Sequence, residues 1–319
     1  MLRLPLALAS PSGRRGRLSI LIFHRVLPAP DPLMPNLPAA GEFERRMRWV
    51  RDWFNVLPLA QAIDRLYAGA IPSRALAITF DDGYADNEAI AAPILQRLGL
   101  TATFFVSSGF LDGDCMWNDR IIEAIRGCRA QALDLMAAGL GRLSLATPDE
   151  RRAAIDSVLT AVKHLEPGTR TSAVQAVASA AAAGPMPALM MRPPQLRRLC
   201  ALGMDIGAHT VTHPILTRLK STAAAAEMRD SRQELERIVR RPVPLFAYPN
   251  GVPDQDYSAE HVALARECGF TAAVSTAWGA ASMRSDRFQL PRFSPWDRTR
   301  LRYGARLLRN FAQPSRVAA

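Results

Sequence analysis

Two histidines four residues apart, His209 and His213 in the run H-T-V-T-H, have the spacing of a metal site in this 319-residue chain. On one side of a helical turn, two such imidazoles face a single ion. Only five histidines occur in the chain, and Pro214 limits any helical extension beyond the pair. A second feature is T-F-D-D-G-Y at residues 79–84. Adjacent carboxylates repel, so they cost stability unless a cation or a helix N-terminus takes up their charge. Asp81-Asp82 therefore reads either as the N-cap of a following helix or as part of the histidine site. In the second case one aspartate completes a His, His, Asp set that leaves a position open for water. The other is then free to act as general base on that water.

Each of these groups follows a run that reads as a buried strand. The runs are 19–23 (SILIF), 75–80 (ALAITF), 102–106 (ATFFV), 205–208 and 245–248 (LFAY), with 272–274 and 288–290 as the last strands. Helical spacing recurs at 43–54, 59–68, 87–98, 223–239 and 258–268. Strand–helix–strand alternation predicts a parallel sheet with right-handed crossovers. His24, Asp81-Asp82, His209 and the stretch Tyr248-Pro249-Asn250 all stand at strand ends. Active sites of parallel α/β barrels are built at the carboxyl ends of the strands, so these groups are expected to share one mouth.

From 112 to 194 the pattern turns Ala- and Leu-rich, helical and without a clear strand, which predicts a helical insertion. The expected organisation is a flexible lead over 1–17, one barrel domain over 18–299 carrying the insertion, and a basic amphipathic helix and tail over 300–319. In that helix Leu301, Leu307, Leu308 and Phe311 are the candidate apolar contacts.

The composition, 49% hydrophobic and 22% charged, excludes a disordered chain. The four cysteines form no C-x-x-C pair, which excludes a zinc knuckle and leaves reduced thiols as the expectation. The apolar run at 4–9 is shorter than the core of a signal peptide and is broken by Pro5, and no run is long enough for a transmembrane helix. A cytoplasmic or membrane-peripheral location is expected, with an atypical export signal as the alternative reading of the N-terminal run. The net charge of +11 attracts polyanions. No nucleic-acid motif accompanies it, so an acidic glycan or peripheral contact with an anionic membrane is the fitting partner. Oligomeric state is not legible.

Taken together, T-F-D-D-G and H-T-V-T-H resemble the first two motifs of the NodB-type polysaccharide deacetylases, carbohydrate esterase family four. The resemblance runs over about residues 18–295 outside the insertion. F-A-Y-P-N-G at 246–251 is similar to the third motif of the exopolysaccharide-cluster branch. The resemblance implies a distorted (β/α)7 barrel that removes acetyl groups from N-acetylated sugars of a polysaccharide or its precursor. It implies Asp82, His209 and His213 as ligands of one divalent ion, zinc foremost with cobalt or nickel as alternatives, and Asp81 as general base. Tyr84, Trp117 and Tyr248 are candidates for stacking on a sugar, with core packing as the alternative for each. The turn at Asn250 is a candidate for an oxyanion N–H.

Two departures stand out. Ala247 occupies the place of an arginine that orients the base in many members, so Arg292 or Arg25 would have to substitute in space. No histidine follows the last strand, where many members carry their general acid; the sequence reads Leu290-Pro291-Arg292. His24, at a strand end, or His261, in a helix, remains for that role, while His164 in the insertion is expected to be solvated. An inactive sugar-binding barrel and an esterase acting on O-acetyl groups are the rival readings.

Overall fold

The structure is a computed structural model describing residues 2–112, 115–313 and 315–319. Met1, Pro314 and the insertion residues Gly113 and Asp114 lie outside the described residues. The chain begins with α1 (Arg3–Ala9), β1 (Leu18–Phe23), α2 (Ala40–Trp53), β2 (Asn55–Val56), α3 (Leu59–Tyr67) and β3 (Ala75–Phe80). A π-helical turn at Asn87–Ala91 runs into α4 (Ala92–Arg97), and β4 (Thr103–Val106) follows. The insertion holds α5 (Trp117–Gly127), β5 (Ala132–Leu135), β6 (Gly141–Ser144), α6 (Pro148–Val162) and α7 (Pro167–Ala180). The barrel resumes with α8 (Pro193–Ala201), β7 (Asp205–Ala208), α9 (Ser221–Val239), β8 (Leu245–Ala247), α10 (Ala259–Glu267) and β9 (Ala272–Val274), and the chain closes with α11 (Arg300–Asn310).

The main sheet is parallel throughout, in the order β1-β3-β4-β7-β8-β9, with the short β2 beside β3. β1 and β3 are buried at every position, as continuous apolar runs covered on both faces must be. The sheet curls until the segment after β9 bridges its two edges. Leu290 pairs with Val274, Phe293 with Leu21 and Ala281 with Leu18. This is the expected (β/α) barrel in an open, curled form. The strand expected at 288–290 is reduced to the single bridge at Leu290, and Pro291, which has no N–H, ends any ladder there.

Two expectations are corrected. The insertion is not purely helical: β5 and β6 form an antiparallel hairpin, with Gly139 and Gly141 both left-handed at its turn. Leu133 and Leu135 alternate with exposed Asp134, a period-2 signal too short to detect among Ala-rich neighbours. The hairpin and helices enclose a core of their own that includes Ile121, Ile125, Leu133, Ile155, Val158 and Val177. The residues before β1 are not a flexible lead either. α1 packs against α11 and buries Leu6 in the main core. Gly304 of α11 makes room for this, since a Cβ there would sit 2.2 Å from the Leu2 side chain. α11 in turn buries Tyr303 and Leu307, with Phe311 buried just beyond its end, half-covers Leu308 and leaves Leu301 exposed. Cys128, Cys200 and Cys268 are free thiols, and no described helix is long and apolar enough to cross a membrane.

Candidate active site

β3 ends at Phe80, and the next two residues turn their carboxylates to different partners. Asp82 takes φ 76 and Gly83 φ 96, a left-handed turn that non-glycine residues rarely adopt. Asp81, just before it, lies against Arg292. The guanidinium donates Nη1–H to Asp81 Oδ1 and Nη2–H to Oδ2, both at 2.6 Å, a bidentate fork. Arg292 is itself fully buried and is fixed by Nε–H donation to the Ser275 carbonyl at 2.9 Å. Burial opposes ionisation of Asp81, but the charges of Arg292 and His209 outweigh it and hold the carboxyl below its usual range. Arg25 takes no part in the fork. It pairs with Asp86 at 2.7 Å and lies over the Tyr84 ring.

His209 follows β7 and donates Nδ1–H to the Ala247 carbonyl of β8, 2.7 Å away. That bond leaves Nε2 as the lone pair aimed at Asp82. His213 does not reach the same place along a helical turn. Residues 209–213 form a loop with Thr210 at φ 64 and His213 at φ 54. Glu227 of α9 anchors this loop, accepting the Val211 and Thr212 N–H groups at 2.8 Å each and the Thr212 hydroxyl at 2.7 Å. Asp82, Thr210, His213 and Asn250 make up four of the eight left-handed non-glycine residues among those described, so backbone strain concentrates around the site.

Asp82 Oδ1 lies 3.5 Å from His209 Nε2 and 3.4 Å from His213 Nε2, and it is buried without a hydrogen-bond partner. Two ligand bonds of about 2.0–2.1 Å at a tetrahedral angle put donor atoms about 3.3–3.4 Å apart. The three donors lie within 4.8 Å of one another, so the orphaned oxygen and the two ring nitrogens fit one small divalent ion. Burial opposes a charge on Asp82, yet the facing histidines keep its pKa well down. Burial likewise disfavours a charged His209, but Asp81 and Asp82 outweigh it and raise its pKa, whereas burial lowers His213 to about 4. A cation bound by these donors competes with the His209 proton.

These groups floor a cavity of about 320 Å³. From the barrel it is lined by His24, Asp81, Asp82, His209, His213, Asn250 and Thr276. From the insertion come Met116, Trp117 and Asn118 at the start of α5, and Leu159, Thr160 and Lys163 at the end of α6. Asn250 sits at φ 58 in a turn fixed by Thr276, whose hydroxyl donates to the Asn250 carbonyl at 2.7 Å. His24 is exposed at this mouth. His261 is not there: its Nδ1 caps α10 by accepting the Ser258 N–H at 3.1 Å. His164 is exposed beyond α6.

Tyr84 and Tyr248, expected to touch substrate, are buried outside the cavity lining. Tyr248 stacks on Tyr257 with ring centroids 4.0 Å apart and donates its hydroxyl to the Phe288 carbonyl. Tyr84 donates to both Asp119 carboxylate oxygens at 3.2 Å. Asp119 is itself buried, and burial pushes its pKa up to about 7 against the pull of Arg25. Sequence reasoning reads Trp117-Asn118-Asp119 as a wall of the groove, but Asp119 is buried outside the cavity lining, and Glu227 and Lys163 were missed altogether. Each is an ordinary helix residue by local pattern, and only tertiary contact marks it.

Comparison with known proteins gives a consistent picture. The family model described as polysaccharide deacetylase matches residues 68–273. The Bacillus subtilis (strain 168) protein named "Putative polysaccharide deacetylase YxkH" is 22% identical over 278 residues, 86% of this chain and 70% of the relative. Among solved structures, the deacetylase PplD of Streptococcus pyogenes, in complex with acetate, superposes with a TM-score of 0.62 at 18% identity, covering 93% of this chain and 99% of that one. IcaB from Ammonifex degensii superposes with a TM-score of 0.59 at 16% identity, covering 93% and 97%. At these identities the structural matches speak for the shared fold.

Proposed function

This chain belongs to the polysaccharide deacetylase family, and from that premise we propose that it hydrolyses the acetamide of an N-acetylated sugar, in a polysaccharide or its precursor, with the help of one divalent ion. The observation that carries the reading is the pairing of two differently employed carboxylates at one cavity floor. Asp81 is forked by Arg292, and Asp82 faces two imidazole nitrogens. Asp82, His209 and His213 would hold the ion, with zinc as first choice and cobalt or nickel as alternatives. Such an ion supplies Lewis acidity toward a carbonyl oxygen and lowers the pKa of water to about 7.

The rest of the chemistry falls to the chain. Asp81 takes the proton of the attacking water as general base. Arg292 keeps that carboxylate ionised and aimed, at the cost of some basicity. The substitution of Arg292 for the arginine missing at Ala247 rests on the fork itself. The turn at Asn250 would offer an N–H to the developing oxyanion, where a fixed donor outperforms solvent. His24, the remaining histidine at the cavity, would protonate the leaving amine. Trp117 would give the sugar an apolar wall.

The test measures bound metal and acetate release on one purified sample, wild type beside Asp81→Asn. Substrates are N-acetylated oligosaccharides and simple acetyl esters, with zinc, cobalt and nickel added in turn. Acetate from the oligosaccharides in wild type, with a loss of about 10²–10⁴-fold in Asp81→Asn, is the expected result. Metal bound without acetate from any substrate would favour an inactive sugar-binding barrel. Esters cleaved while amides stay intact would make it an O-acetyl esterase. No metal after reconstitution would remove the Asp82, His209, His213 assignment.

A further inference from the structure

The cavity holds a cation that deacetylation does not use. Lys163 caps the C-terminus of α6 and lines the cavity beside Leu159 and Thr160 of the same helix. Its ammonium makes no ion pair among the described residues. Of the other charges near it, Asp256 feels its field but is wholly buried, with one carboxylate oxygen accepting the Val252 N–H. His164 is the neighbouring residue, is exposed and brings no negative charge. On the floor, Asp81 is already neutralised by Arg292. In the proposed reaction the charge of Asp82 goes to the metal.

A basic residue at a helix C-terminus also complements the helix dipole, but arginine serves that purpose equally well. Arginine is what this chain otherwise uses: Lys163 and Lys220 are the only lysines among its 40 basic residues. A lysine is a compact, hydrated point charge that donates to carboxylate or phosphate oxygens without a fixed fork. The site around it is built rather than incidental. Arg170 lies over the Trp117 ring at 5.1 Å and donates to the Lys163 carbonyl at 3.4 Å, tying the wall residue of α5 to the end of α6.

We propose that Lys163 forms an anion subsite and that the sugar deacetylated here carries an acidic group, a carboxylate or a phosphate, on the same or the adjacent residue. This rests on the deacetylase reading above. A cavity of about 320 Å³ is at the small end for a ligand site, so a group reaching Lys163 lies close to the acetamide. The net charge of +11 adds long-range attraction for such a substrate.

The experiment compares three N-acetylglucosamine disaccharides: one with a neutral partner sugar, one with a glucuronate partner, and one with a neutral partner bearing a phosphate monoester. Acetate release and calorimetric binding are both measured for wild type, Lys163→Gln and Lys163→Arg, with thermal melting to check the fold. Wild type is expected to favour one acidic disaccharide over the neutral one in kcat/KM by about tenfold, the scale of one charge-assisted hydrogen bond. Lys163→Gln should bring that ratio near one, and Lys163→Arg should retain most of it. Which acidic disaccharide is preferred identifies the group. Equal kcat/KM on all three in wild type, or a ratio that survives in Lys163→Gln, overturns the subsite. If none of the three is hydrolysed, binding decides separately. Acidic-over-neutral binding that Lys163→Gln removes keeps the subsite while the deacetylase reading falls. Equal binding removes the subsite as well.

Discussion

Asp81 and Arg292 stand 211 residues apart in sequence and are almost wholly buried beneath the cavity, whereas Trp117 and Lys163 line the same cavity half-exposed, on helices with a separate core. The floor is made by the barrel. Its polar groups were taken out of water, so each needs a partner with good geometry, and a missing partner is expensive. The wall is made by the insertion. Its polar groups keep part of their hydration, so they can be exchanged at low cost to the fold. The floor is thus constrained toward one chemistry, while the wall is free to set which sugar meets it.

The floor can be broken hardest at Arg292. Arg292→Met leaves a buried carboxylate without its counter-charge and should cost about 3–5 kcal/mol of stability. It should also abolish acetate release, because Asp81 loses its aim and its pKa rises. The double variant Asp81→Leu, Arg292→Met removes both charges together and should recover most of the stability but none of the activity. Chemical denaturation of the two variants beside wild type checks this. Additive losses in the double variant would mean the pair is not energetically coupled.

Asp119 tests the border between the two regions, since it starts the insertion yet lies buried against Tyr84 of the barrel. Its folded pKa, pushed up to about 7, exceeds the ordinary 3.8. Below pH 3.8 the carboxyl is protonated in both states and carries no penalty. As pH rises from there to about 7, only the unfolded chain ionises, so stability is lost, by at most about 4 kcal/mol. Asp119→Asn removes the titration and can still accept the Tyr84 hydroxyl. The melting temperature of Asp119→Asn should therefore gain on wild type steadily from pH 4 to 7 and hold constant above. A difference that stays flat with pH would falsify the buried, protonated carboxyl.

Glu227 supports the floor from outside it, through the loop that carries His213. If Asp82, His209 and His213 hold a divalent ion as proposed, Glu227→Ala should weaken zinc binding about tenfold, the lower end of what the loss of an outer-shell partner costs. Competition with a chelating dye reads this directly. An unchanged affinity would show that the Thr210 hydroxyl, which accepts the His213 N–H, and the N–H groups of Ser108 and Gly109, which donate to the Thr210 and Val211 carbonyls, hold His213 without Glu227.

The difference between floor and wall also explains what the sequence made legible. Asp81, Asp82, His209 and His213 lie in two short runs, each at the end of an apolar strand, so type and spacing suffice to single them out. The loop that actually brings the two histidines together was not legible, and a helical turn was expected in its place, because Thr210 and His213 take left-handed conformations that no periodicity announces. Arg292 was visible only as one candidate beside Arg25. Nothing local separates a buried arginine from the many exposed ones, and its full burial follows from the bridged segment after β9. Tyr248 was misread for a related reason. It directly follows β8, where its ring turns into the core against Tyr257 rather than toward the mouth. The packing of α1 was hidden because its partner, α11, lies at the other end of the chain.

The smallest expected effect belongs to the wall. Trp117 is half-buried, packed on the core of the insertion and covered on one side by Arg170. If its remaining surface meets the sugar, Trp117→Ala should raise KM about threefold to tenfold, the worth of one aromatic contact, with a smaller change in kcat. The loss falls on ground-state binding because the ring stands beside the reacting groups and not among them. A drop in melting temperature with KM unmoved would assign the ring to the core of the insertion alone. The wall would then reach the substrate only through its polar groups, and sugar selection would rest on Asn118, Thr160 and Lys163.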